Sequence, residues 1–169
     1  MEDAVANSYG VALDAADKAL LRAGDARNSE SRQSLIEATW WIATGDEYLR
    51  EAYGHRWTAS EVRNENADLL DGIFWARSRA FNDPLSLTTL DRQGAFSNAF
   101  SSAFDTALRW RQWQDVEKIS VALGRPNRQI KNRRPAYGRR LAGEPVLDTL
   151  RAALNVLESV DLEAFGPVG

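Results

Sequence analysis

The chain has 169 residues, a net charge of −3, no cysteine and a single histidine, His55. That length suits one domain with its own core, while the missing cysteines exclude thiolate zinc sites, thiol nucleophiles and redox switching, and a lone histidine excludes a multi-histidine metal cluster. No apolar run approaches the roughly 20 residues of a membrane span, and the acidic start Met1-Glu2-Asp3 lacks the basic end of a signal peptide, so the expectation is a cytoplasmic protein with no membrane contact, cofactor or metal.

Val5, Tyr9, Leu13, Ala16 and Leu20 recur at helical spacing before Gly24-Asp25 and predict a first helix over 3–23. A second helix is predicted from Ser29 or Ser31, whose hydroxyl can cap free amides, through Leu35, Ala38, Ile42 and Leu49 to Gly54. Thr58 with Glu61 has capping-box form and predicts a third long helix through Val62, Leu69, Ile73 and Ala80 that ends before Pro84. Connections of roughly five residues favour antiparallel neighbours.

From Pro84 to Val116 the pattern is ambiguous: Leu87, Leu90, Phe96, Phe100 and Phe104 could line a helix, yet Gly94 interrupts it, and Ala107 to Trp113 alternates like a short extended piece. Pro135 is expected to open a short helix through Tyr137 and Leu141 that stops at Gly143. Val146, Leu147, Leu150, Leu154 and Leu157 form the stripe of a last helix, and residues 166–169 read as a loose tail. The fold class is therefore mainly α, an antiparallel helical bundle over 1–165 with an irregular segment near 84–116.

Leu70, Ile73, Phe74, Arg77 and Phe81 share one helical face, so Arg77 either meets a buried acid or faces a site; Asp46, Glu47, Asp68 and Asp71 are the candidate partners. Arg79 lies on another face and reads as solvated. Arg125, Arg128, Lys131, Arg133, Arg134, Arg139 and Arg140 form a basic run without an acid between Glu117 and Glu144. Guanidinium forks match phosphate oxygens and Tyr137 could offer a stacking face, so RNA is a reasonable partner. The plainer alternative is a basic segment that neutralises the acidic first helix or lines a subunit contact. Six tryptophans are present, most of them expected in the core. Trp40 and Trp41 point about 100° apart, so one should cover a neighbouring element or an interface.

The segment Ala76-Arg77-Ser78-Arg79-Ala80-Phe81-Asn82 resembles the arginine, four to six residues, histidine motif of HEPN-type helical bundles, many of which are metal-independent ribonucleases or inactive relatives. The resemblance runs in outline from Leu35 to Asn82, through Ile36-Glu37-Ala38-Thr39-Trp40-Trp41 and Gly72-Ile73-Phe74-Trp75-Ala76-Arg77, with an echo at Leu141-Ala142-Gly143-Glu144-Pro145-Val146-Leu147-Asp148-Thr149-Leu150. In this it also looks like a set of uncharacterised actinobacterial helical proteins. It implies that Arg77 takes the place of the motif arginine and that Asn82 stands where the histidine would be. A carboxamide cannot titrate near neutrality, so proton transfer from a ribose 2′-hydroxyl lacks its imidazole.

The literal pattern does occur at Arg50-Glu51-Ala52-Tyr53-Gly54-His55, at the end of the second helix. Two readings of His55 follow. It can be a histidine near a helix C-terminus, favoured in its charged form by the dipole, or a general base acting with Arg50 or Arg77 on a phosphodiester. The chain has no Gly-Lys phosphate loop, dinucleotide glycine pattern or serine elbow. The function expected is thus RNA or protein-partner binding by a HEPN-like homodimer without nuclease activity, in regulation or defence. An active metal-independent ribonuclease of toxin-like or defence type is the alternative, and a structural dimeric interaction protein the third reading.

Overall fold

The computed structural model describes residues 2–25, 29–79, 88–90, 108–110 and 128–166. They form helices α1 (Glu2–Asp25), α2 (Ser29–Tyr53), α3 (His55–Thr58), α4 (Glu61–Glu65), α5 (Ala67–Arg79), α6 (Arg128–Arg140) and α7 (Val146–Glu158), with a 3-10 turn at Glu163–Phe165. Strands β1 (Thr88–Leu90) and β2 (Leu108–Trp110) pair antiparallel, Thr89 opposite Arg109. The molecule is mainly α, a bundle as its sequence pattern predicts, and the alternation near 107–113 becomes the short β2.

Partners along the helices fix their directions. Arg22 meets Glu37 while Leu13 lies over Gly45, so α1 and α2 run antiparallel. Arg50 meets Asp71 and Arg77 meets Glu47, which sets α5 antiparallel to α2. Asp68 with Arg139 and Phe74 with Arg133 do the same for α5 and α6. The core gathers Leu20, Ile42, Leu49, Ile73, Leu141, Leu150 and Leu157, each drawn from the apolar stripe of its helix. Tyr9 spans α1 and α7, its hydroxyl donating to the Leu157 carbonyl at 2.6 Å, and burial pushes its phenol well above the ordinary range.

Two expected helices are corrected. The third long helix is two pieces, α4 and α5, with Thr58 closing the preceding α3, and the cap lies at Ser60, whose hydroxyl accepts the Arg63 amide at 3.2 Å; the Thr58 hydroxyl instead donates to the Gly54 and His55 carbonyls. A second break falls at Asn66, outside helical geometry at φ −109°, with its side-chain amide donating to the Val62 carbonyl. Pro135 does not open a helix but sits inside α6. A mid-helix proline costs about 3 kcal/mol through the lost amide donor, and the burial of Ala136 and Tyr137 against α5 opposes that cost.

Gly72 makes the α5–α6 contact close. A Cβ there would fall 2.6 Å from Cδ1 of the buried Leu141, which would have to shift, and would just touch the Tyr137 backbone at 3.4 Å, so glycine leaves room for the Leu141 side chain in this contact. That approach brings Arg133 of α6 down onto Phe74 and Asp71 of α5. Among the described residues no helix is long and apolar enough to cross a membrane.

Candidate anion site between three helices

Facing side chains of α2, α5 and α6, joined by Arg63 of α4, assemble two neighbouring arginine sites. In the first, Arg77 is 8% exposed and is held by Glu47 through two parallel bonds, Nη1 to Oε2 at 2.7 Å and Nη2 to Oε1 at 2.6 Å. Its guanidinium also lies 5.1 Å from the Trp40 ring centroid and 4.7 Å from that of Phe74. A bidentate carboxylate uses the fork that would otherwise grip phosphate, so Arg77 takes the structural role of an inward arginine meeting an acid. Glu47 of α2 is the partner among the four acids that the sequence offered.

In the second group two carboxylates serve three guanidiniums. Asp46 is 1% exposed and accepts from Arg50 Nε at 2.7 Å and Trp57 Nε1 at 2.9 Å, with Arg63 Nε at 3.3 Å. Asp71 Oδ1 is shared by Arg63 Nη2 at 2.6 Å, Arg50 Nη2 at 3.1 Å and Arg133 Nε at 3.5 Å. Arg133 stacks on Phe74 at 3.8 Å, and its buried Nη1 has no hydrogen-bond partner among the described residues. Burial, and then the neighbouring Arg50 charge, pull the Arg133 guanidinium below its ordinary pKa. Phe74 lies close to Arg77 as well as Arg133, so the two groups adjoin.

The remaining sequence candidates scatter. His55 is exposed and opens α3 directly after Gly54, whose φ of +51° turns the chain off α2. Neither the Arg50 nor the Arg77 guanidinium is paired with it: Arg50 is committed to Asp46 and Asp71, and Arg77 to Glu47. Asn82 and Arg125 lie outside the described residues, as do the side chains of Arg79, Arg128 and Lys131.

The basic run divides by depth. Arg134 is half-buried and Arg140 exposed, while Arg139, also exposed, makes a fork with Asp68 at 2.7 and 2.6 Å that holds the Asp68 carboxyl below its usual range. Tyr137 cannot serve as a stacking platform. It is 0% exposed and packs on Trp75 with centroids 5.0 Å apart, because the close α5–α6 approach encloses it. Trp57 and Trp75 are core residues, while Trp40 and Trp41 are both half-buried.

The Asp46, Arg63 and Asp71 cluster escapes sequence reasoning except for one signal. Asp46 and Arg50 stand four apart on α2, the spacing of a helical ion pair. Arg63, by contrast, comes from α4, which apolar spacing alone does not separate from α5. Among the described residues no group of three or more His, Asp or Glu could hold a metal ion. The chain matches no protein-family model, and comparisons with curated proteins and with solved structures find no match either.

Proposed function

We propose that this protein is a HEPN-like helical bundle that binds RNA without cutting it. The observation that carries the reading is α6, thirteen residues holding Arg128, Lys131, Arg133, Arg134, Arg139 and Arg140 with no acid among them, with Arg140 exposed and Arg139, also exposed, forked to Asp68 of α5. A helix so charged attracts a polyanion and releases its counterions on contact, even in a chain of net charge −3. The reading without cleavage is supported by the state of the groups that the resemblance implicates. Arg77 has its fork filled by Glu47, Asn82 has no titratable proton, and the exposed His55 is paired with neither candidate arginine.

The test is fluorescence anisotropy with a labelled single-stranded RNA across a salt series, beside a cleavage assay in the presence of chelator. Binding that weakens steeply with salt while the RNA stays intact is the expected result. Metal-independent cleavage lost on His55→Ala would establish the ribonuclease alternative instead. No RNA binding at any salt leaves a protein partner, with the homodimer tested by sedimentation.

A further inference from the structure

We infer that Arg133 and Arg50 seat one phosphate group of the bound RNA at the mouth of the arginine–aspartate cluster, an inference that rests on the RNA-binding reading. Charge count is the first ground. Among the described residues Arg50, Arg63 and Arg133 pair with Asp46 and Asp71, which leaves a surplus of one positive charge among them in a half-buried place. Buried charge without a counter-charge is costly, and an incoming anion supplies the missing one.

Hydrogen bonding is the second ground. Asp71 Oδ1 already accepts from Arg63 and Arg50, and Arg133 stands outermost at 3.5 Å with Nη1 buried and unpartnered. Such a donor forgoes water and gains nothing in return, at about 1 to 3 kcal/mol. Access is the third. Asp46 and Arg63 are sealed at 1% and 5% side-chain exposure, whereas Arg50, Asp71 and Arg133 reach solvent at 23%, 27% and 19%.

Among the described residues Arg133 is tied by the long Asp71 pair and by the face of Phe74. A turn of its unbranched stem brings the fork outward to meet a phosphate oxygen pair, with Arg50 as the second donor. Phe74 already carries two guanidiniums, so its ring is not open to a base. The seat therefore reads backbone charge and tolerates any base sequence.

The experiment compares the full chain with Arg133→Met and Arg133→Lys by RNA anisotropy and by thermal unfolding, in chloride and in inorganic phosphate of equal ionic strength. Arg133→Met is expected to weaken RNA binding about tenfold and lower the salt slope by about one. Its unfolding temperature should hold or rise, since two arginines then match two aspartates; a merely structural arginine would cost stability. Phosphate should raise the unfolding temperature of the wild type and leave that of Arg133→Met unmoved.

RNA binding with unchanged affinity in Arg133→Met overturns the seat and leaves the RNA reading standing. Phosphate stabilisation of the wild type alone, without RNA binding, overturns RNA as the occupant and points to another phosphate carrier, such as a phosphorylated peptide. Neither effect overturns both. If Arg133→Met does not fold, Arg133→Lys decides: it keeps the charge and loses the fork, so weakened binding supports the seat and unchanged binding overturns it.

Discussion

The two arginine groups on the α2–α5–α6 face differ in one respect that decides what each can do. At Arg77 one guanidinium meets one carboxylate in a closed, bidentate pair. At Asp46 and Asp71 three guanidiniums divide two carboxylates, and the outermost is left with a spare donor. A satisfied ion pair holds helices in register but has nothing to offer a ligand. An unsatisfied cluster carries the same residue types and keeps both charge and hydrogen-bonding capacity in reserve. Arg77 is thus the arginine closed off by its partner, while Arg133, outside the 77–82 segment, is the one with a donor to spare.

The largest way to break this contrast is Asp46→Ala. It strips Arg50 and Trp57 of their shared buried acceptor and Arg63 of a counter-charge, and about 3 to 5 kcal/mol should be lost in urea unfolding. A loss below about 1 kcal/mol would mean that Asp71 alone suffices. Gly72→Ala comes next, because its Cβ must displace the buried Leu141 side chain; overpacking should cost about 1 to 3 kcal/mol and disturb the α5–α6 contact that seats Arg133 on Phe74. RNA binding should then fall while the Arg77–Glu47 pair, made between α5 and α2, stays in place.

Glu47→Gln sharpens the comparison from the other side. It leaves Arg77 buried with a neutral partner, for an expected loss of about 1 to 2 kcal/mol, since Glu47 itself is 42% exposed. The freed fork should not create cleavage, because no imidazole is paired with Arg77. Any metal-independent nuclease activity in this variant would show that the closed pair was an inhibited catalytic site. His55→Ala should have the smallest effect, within about 0.5 kcal/mol, with RNA binding unaltered, as befits an exposed histidine.

Acidification probes the exposed Asp68–Arg139 pair. Arg139 lowers the Asp68 pKa, so their contribution is present above the ordinary carboxylate value of 3.8 and is lost as pH falls through the lowered native value. Asp68→Asn should flatten that part of the pH–stability curve.

The last helix shows what a sequence alone can disclose. Val146, Leu150, Leu154 and Leu157 return on one face with no competing signal, and α7 follows them to Glu158. The segment 58–80 shows where such reading stops. Apolar spacing runs on past Ser60 and Asn66, yet a serine cap and a non-helical asparagine divide it, because each can satisfy backbone groups locally. Pro135 misleads in the opposite sense: its local rule says helix start, and contacts that α6 makes through Ala136 and Tyr137 override it.

Periodicity by itself determined the helical class, the faces that form the core and the inward direction of Arg77, since these depend on residues a turn apart. Tertiary structure decided which of four acids Arg77 meets, that Tyr137 is enclosed and that Arg133 descends onto Phe74 and Asp71. Each of those pairs residues on different helices, and a charge finds its partner only through the distance and dielectric that packing sets.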